Sequence, residues 1–175
     1  MRIETREFLS PDDGLLQSIG RLRVEAWDTE LPEKSGMECW LDEHDIRARH
    51  WLAFFNEELV ASARLSVHEE LDQVPDSESY EGVFAEPPRG PIASLNRLVV
   101  HPSARGLGLS KRLDLMRMEA ARAMGCRSLV LGTASGPSRV RQLTGWGFQM
   151  MGQGKPFQEP PLCGLPAPCI FLLKL

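Results

Sequence analysis

Residues 92–125 narrow the possible folds more than any other part of the chain. They begin Ile92-Ala93-Ser94-Leu95-Asn96-Arg97-Leu98-Val99-Val100-His101-Pro102, continue Ser103-Ala104-Arg105-Gly106-Leu107-Gly108-Leu109-Ser110, and run on to Gly125. The first segment is nearly continuous apolar, as expected of a strand covered on both faces. Leu109, Leu113, Met116, Ala120 and Met124 then recur at the spacing of one helical stripe, and Gly125 supplies a natural stop. Arg127 to Thr133 reads as the next strand. A strand–helix–strand unit implies parallel pairing with a right-handed crossover. The glycine loop before the helix aims unpaired N–H groups and the positive end of a helix dipole at one point, which suits an anion, usually a phosphate. Arg105 stands at the mouth of this loop, with Lys111 and Arg112 just inside the helix.

The remaining elements complete an α/β order. Residues 2–8 read as a strand. Ser10-Pro11-Asp12-Asp13 has the form of a helix start with Ser10 as N-cap and Pro11 in the first turn. Leu15, Ile19, Leu22 and Ala26 continue it at helical spacing. Residues 28–45 are acidic and interrupted by Pro32 and Gly36, giving a loop with one short helix. Residues 50–55 and 59–67 form two strands about the turn Asn56-Glu57-Glu58. Residues 69–91 carry seven acids and four prolines, and a connection of that length is usually functional or mobile. Ser138 to Leu143 is a short helix, Gly147-Phe148 opens another strand, and Cys169 to Leu175 is the last. The order β α β β β α β α β β predicts a single domain over residues 1–175, with one mixed sheet of about seven strands flanked by helices on both faces.

Charge is divided unevenly. Residues 1–92 hold 21 acids and 9 bases, whereas residues 93–175 hold 3 acids and 11 bases. The basic half coincides with the phosphate loop, so two ligands of opposite sign are expected. Nucleic acid fits poorly, because the sequence pI is about 5.6 and no aromatics interleave the bases. There is no apolar run long enough to span a membrane, and the polar start Met1 to Glu7 gives no expectation of a secretory signal. Cys39, Cys126, Cys163 and Cys169 have no framework spacing and read as reduced thiols of a cytoplasmic protein. Cys39, His44 and His50 lack the paired spacing of a zinc site, so no metal is expected.

Three phosphate-loop types compete for residues 105–111. A P-loop needs Gly-x-x-x-x-Gly-Lys-Ser/Thr, and the spacing fails because Lys111 follows Ser110. A dinucleotide fingerprint is matched by Gly106 and Gly108 but broken by Lys111, whose bulk blocks close helix–strand packing. The third type is an arginine-led loop, Arg/Gln-x-x-Gly-x-Gly/Ala. Here the run Leu98 to Leu113, with Arg105-Gly106-Leu107-Gly108-Leu109-Ser110 at its centre and Gly147-Phe148 later, resembles the GNAT superfamily of acyl-CoA-dependent N-acyltransferases. Ser110 replaces the final Gly or Ala and is still small.

The resemblance implies a fold, a co-substrate and a reaction. The pyrophosphate of acetyl-CoA or another acyl-CoA would lie on the amides of Gly106, Leu107, Gly108, Leu109, Ser110 and Lys111, beside Arg105. The pantetheine arm would hydrogen-bond along Leu98, Val99 and Val100, and an N–H near Val99 or Val100 would polarise the thioester carbonyl. An amine of a small molecule or protein would attack directly. The resemblance also leaves a homodimer through the last strands open to the chain. A finer likeness joins Arg21-Leu22-Arg23-Val24-Glu25-Ala26-Trp27, Asp42-Glu43-His44-Asp45, Ala63-Arg64-Leu65 and Leu95-Asn96-Arg97 to acyl-homoserine-lactone and N-acyl amino acid synthases. Those usually carry Glu where this chain has Ser94.

Catalytic side chains are sparse. The family's general-acid tyrosine position is Leu143, and the strand position of its usual base is occupied by Ser94, Asn96 or Arg97. Arg97 can hold a substrate carboxylate or pair with an acid from the loops, and Asn96 alternates to the opposite face. Ser135 and Ser138 stand where the resemblance has the thiolate emerge. Ser135 would contact the donor; Ser138, with Asn96 and Arg97, completes the catalytic candidates, although Ser138 could equally cap its helix. With these roles unfilled, an acyl-CoA-binding module of little or no activity stays an alternative to the enzyme.

Overall fold

The computed structural model describes residues 3–31, 33–134, 136–158 and 161–175; Pro32 therefore lies outside the described residues. The elements are β1 (Ile3–Leu9), α1 (Asp13–Trp27), β2 (Arg49–Phe55), β3 (Glu58–His68), β4 (Ile92–Val100), α2 (Leu109–Ala123), β5 (Ser128–Thr133), α3 (Pro137–Gly145), β6 (Gln149–Gln153) and β7 (Cys169–Lys174). This is the order expected from the sequence. The seven strands of the described residues form one mixed, open sheet in the order β1-β2-β3-β4-β5-β7-β6. Contacts divide the chain into two compact units, residues 1–66 with 95–120, and residues 67–94 with 121–175.

In the first unit β1, β2 and β3 form an antiparallel meander, with Ile3 opposite Phe55 and Trp51 opposite Ala63. The β2–β3 connection is a two-residue turn in which Asn56 and Glu57 both have positive φ, 48° and 71°, the geometry that matches strand twist. Helix α1 starts later than the sequence suggests. Asp12, not Ser10, is the N-cap, its carboxylate accepting the Leu15 N–H at 2.8 Å. An aspartate in extended conformation caps as well as serine, and Ser10 is held at φ 50° in the turn before it. The helix buries Leu16 and Ile19 against Leu52 of β2, and Leu22 and Ala26 against Val99 of β4.

Gly20 governs how the acidic loop meets this helix. The Trp40 N–H donates to the Gly20 carbonyl at 3.1 Å. A Cβ on Gly20 would lie 2.2 Å from Cys39 Sγ and 3.2 Å from the Trp40 nitrogen. The short helix expected in this loop is a 3-10 turn at Glu43–Ile46, capped reciprocally by Asp42 and Asp45.

Helix α2 packs on a face rotated from the predicted stripe. Leu109, Leu113, Met118 and Ala121 are buried, as are Asp114 and Arg117, while Met116, Ala120 and Met124 are only half-buried. A periodicity count of apolar residues passes over the two charged side chains, and the face that includes them is the one that packs.

In the second unit Ile92–Ser94 pair in parallel with Ser128–Val130, β5 runs antiparallel to β7, and β7 to β6. Its core joins Val74, Tyr80, Ile92, Val130, Ile170 and Leu172. The 69–91 connection is built of two 3-10 turns, Leu71–Gln73 and Ser77–Tyr80, and is closed by a bond from the Gly90 N–H to the Glu69 carbonyl at 2.8 Å. Gly136 caps α3, with Pro137 in its first turn, so Ser138 lies inside the helix and does not cap it. Leu143 and Phe148 are each 1 % exposed.

Gly20→Ala tests the close approach of the loop. Helix propensity alone favours alanine by about 1 kcal/mol, but overpacking against Cys39 and Trp40 should lower stability by about 1–3 kcal/mol in denaturant unfolding. Adding Cys39→Ala should recover part of that loss. A Gly20→Ala chain more stable than the native one would contradict this packing.

Candidate active site

The glycine loop at residues 105–111 is assembled entirely within the first unit. Pro102–Ala104 form a 3-10 turn capped by His101, whose Nδ1 accepts the Ser103 N–H. Arg105 follows in extended conformation. Gly106 and Gly108 have φ of 80° and 72°, and an added Cβ at either meets nothing within 4 Å. The glycines are thus required by backbone conformation, a left-handed region costly to other residues, and open space lies beside them. The Arg112 N–H closes the first α2 turn on the Gly108 carbonyl at 3.1 Å. The amides of Leu109, Ser110 and Lys111 are first-turn donors with no acceptor inside the helix. Leu107, Lys111 and Arg112 are exposed, and Ser110 is half-buried.

Arg105 ties this loop to the end of α1. It pairs with Glu30 at 2.8 Å, donates to Thr29 Oγ1 at 2.8 Å, and lies 3.4 Å from the Ala26 carbonyl. A cation at helix-terminal carbonyls is favourably placed in the helix dipole.

The strand leading to the loop does not keep strict alternation. Arg97 has φ 52°, and this left-handed residue resets the direction of the side chains around it. Asn96 was expected on the face opposite Arg97. Instead both converge on one cluster. Arg64 Nε donates to Asn96 Oδ1 at 2.5 Å, and the same guanidinium donates to Asp42 through both Nη atoms at 2.5 and 2.9 Å. Arg97 donates to Asp42 Oδ2 from Nε at 3.2 Å and Nη2 at 2.9 Å, and its guanidinium lies 4.3 Å from the Trp40 ring centroid. Of the two roles open to Arg97 in the sequence, pairing with a loop acid is the arrangement found here.

The cluster extends inward. Arg23 grips Asp45 bidentately, both bonds at 2.8 Å, and Arg64 Nη1 reaches Asp45 at 2.9 Å. His50 Nε2 lies 2.9 Å from the Asp45 carbonyl oxygen. Arg23, Arg64 and His50 are fully buried, Asp45 nearly so, and Asp42 is 24 % exposed by side chain. Burial alone would raise both carboxyls; bonds and charge from Arg23 and Arg64 at Asp45, and from Arg64 and Arg97 at Asp42, outweigh it and hold both below the usual carboxylate range. Burial pushes the His50 imidazole down, aided by the Arg23 and Arg64 charges.

Arg23, Asp42, Asp45 and Arg64 were not among the sequence candidates for catalysis. All four stood in the segments of the finer likeness, and Arg23 and Arg64 carried a second signal, a charge beside the apolar stripe of α1 and in the small apolar run Val60–Leu65. Ser138 is exposed on α3, and Ser135 lies outside the described residues. Trp51 and Trp40 are core residues, with Trp27 edge-on to Trp40 at 6.3 Å. Among the described residues no cluster of His, Cys, Asp and Glu has the form of a metal site, and no helix is long and apolar enough to cross a membrane. In the second unit the acidic connection surrounds a cavity of about 480 Å³ whose lining includes Glu70, Asp72, Glu81, Tyr80 and Phe84.

Residues 13–143 match the Acetyltransferase (GNAT) family, and the chain belongs to that family of acyl-CoA-dependent acyltransferases. No curated protein matches the sequence. Solved structures share the fold at low identity. Escherichia coli ElaA is 17 % identical with a TM-score of 0.65, over 99 % of this chain and 100 % of that one. The ribosomal-protein-S18-alanine N-acetyltransferase of Escherichia coli is 17 % identical with a TM-score of 0.63, over 98 % and 94 %. TofI, in a ternary complex with an inhibitor and MTA, is 18 % identical with a TM-score of 0.67, over 99 % and 91 %.

The buried cluster sets a pH dependence. The Asp42 and Asp45 carboxyls are depressed in the fold, so their stabilisation is complete above the unfolded value near 4 and lost as pH falls through their lower folded values. His50 is also depressed, so the unfolded chain takes up its proton first, and stability declines as pH falls below about 6.5. Denaturant midpoints should fall gently from pH 7 to 5 and steeply below pH 4. His50→Gln should abolish the gentle decline and keep the steep one; a flat profile down to pH 3 would contradict the cluster.

Proposed function

We propose that the chain transfers an acyl group from acyl-CoA to a primary amine of a small molecule or protein by direct attack, with acetyl as the acyl group and residues 1–175 acting as one GNAT domain. The observation that carries this reading is the loop at residues 105–111: paired left-handed glycines, open space beside them, and first-turn amides of α2. The amides of Gly106 to Lys111, with Lys111 alongside, hold the donor's pyrophosphate, and the dipole of α2 adds to the attraction. Arg105 contributes by fixing the loop to α1. Leu98, Val99 and Val100 offer backbone groups to the pantetheine arm, and an N–H of Val99 or Val100 stabilises the charge that grows on the thioester oxygen.

The bond from the amine nitrogen to the acyl carbon forms as the carbon–sulfur bond breaks. The acceptor's extra proton passes to water, because the strand positions Ser94, Asn96 and Arg97 supply no base. The leaving sulfur needs no general acid, since a thiol near pKa 8.5 departs readily as thiolate. This fits a chain whose acid position, Leu143, is sealed in the core. Positioning therefore supplies most of the acceleration. The carboxylates of the 69–91 segment favour cationic acceptors.

Thiol release from acetyl-CoA against a panel of amines tests the reading. Release should be amine-dependent, and Gly108→Val should weaken the apparent affinity for acetyl-CoA by about tenfold or more, equivalent to about 1.4 kcal/mol. No release with any amine would count against catalysis. Coenzyme binding without turnover would leave a binding module.

One observation favours a second reading. The residues of the finer likeness, Arg23, Asp42, Asp45, Arg64 and Arg97, meet in a single ion-pair cluster. A synthase joining a longer acyl chain to a small amino-acid-like acceptor would use such a set. Octanoyl-CoA turning over faster than acetyl-CoA would establish this reading, and the reverse order would exclude it.

A further inference from the structure

Arg117 is a fully buried cation on the face of α2 that no catalytic role uses. Its Nη1 donates to two backbone carbonyls, Arg64 O of β3 at 2.8 Å and Asn96 O of β4 at 3.2 Å. Its Nη2 donates to Asp114 Oδ1 at 2.5 Å, and both side chains are 1 % exposed. The Asn96 carbonyl belongs to the peptide whose orientation φ of Arg97 sets. At 52° that peptide is turned out of the regular strand direction, a conformation that persists only when its surroundings hold it. A buried guanidinium, planar and forked, reaches two carbonyls with one nitrogen and a carboxylate with the other, a spread that the single nitrogen of a lysine ammonium does not match. Asp114 supplies the charge that allows it to be buried.

We infer that Arg117 is a positioning residue of the acyl transfer: by gripping the Asn96 and Arg64 carbonyls it holds the kink at Arg97, and so fixes how Leu98, Val99 and Val100 present their backbone to the acyl donor. Helix α2 begins at the phosphate loop and carries Arg117 two turns further on. One helix therefore sets both the loop that receives the pyrophosphate and the strand that receives the pantetheine arm. The inference rests on the acyl-donor reading above.

Its test separates the two halves of the donor. Arg117→Met alone would bury Asp114 unpaired and could prevent folding, so the working variant is Asp114→Asn with Arg117→Met, beside Arg117→Lys. Calorimetry measures binding of coenzyme A and of adenosine 3′-phosphate 5′-diphosphate, which lacks the pantetheine arm. In the double variant the Kd for coenzyme A should rise about tenfold while that of the truncated nucleotide changes less than about twofold. Amide hydrogen exchange at Leu98–Val100 should quicken by about tenfold in the unliganded double variant. Arg117→Lys should fail to restore coenzyme affinity. Equal weakening of both ligands, or no change in either, would overturn the inference while leaving the acyl-donor reading intact. A native chain that binds the truncated nucleotide and coenzyme A equally well would overturn it too, since the arm then makes no contact to position. A native chain that binds neither would remove both readings.

Discussion

Two carboxylates shared among three arginines hold the first unit together. Asp42 and Asp45 come from one 3-10 turn, and Arg23, Arg64 and Arg97 come from α1, β3 and β4. Each guanidinium would be costly to bury alone, and the three would repel one another. With the turn in place each cation has a bidentate or shared partner, and Trp40 lies under Arg97. The turn in turn reaches its place because Gly20 lets Trp40 and Cys39 approach α1. Such a network adds little to stability over an apolar core of the same volume. In this registry of helix, turn and strands all five charges are paired.

That registry bears on the chemistry through β4. A left-handed, non-glycine residue in the middle of a strand persists only when its surroundings over-determine it. Arg97 is held from both sides, its side chain by Asp42 and Trp40, and the preceding carbonyl by Arg117. The residues immediately after it are Leu98, Val99 and Val100, and the glycine loop follows within the same unit. In the proposed reaction backbone amides do most of the work, so the side chains that fix backbone direction matter as much as any that would touch a substrate.

Much of this was legible in the sequence. The element order, the mixed sheet and the glycine loop all follow from local patterns: apolar runs, helical spacing and paired glycines needing positive φ. The helix starts were less well marked, because Ser10, Asp12 and Asp13 are all competent caps and only the tertiary position of the chain selects Asp12. The face of α2 was misjudged because Asp114 and Arg117 sit on it and an apolar count omits them. Asn96 was placed opposite Arg97 by strict alternation, which a single residue at φ 52° defeats. The ion-pair cluster spans residues 23 to 97, a separation across which no local rule operates. Its trace in the sequence was the finer likeness, whose four segments hold all five residues, with Arg23 and Arg64 standing as charges among apolar neighbours.

The proposed acyl transfer requires the loop amides to meet a coenzyme's diphosphate. Amide chemical shifts recorded while coenzyme A is added to the native chain address this directly. Gly106 through Lys111 should shift most and saturate together with Leu98–Val100. Saturable binding that moves other amides and leaves Gly106–Lys111 unchanged would contradict the account.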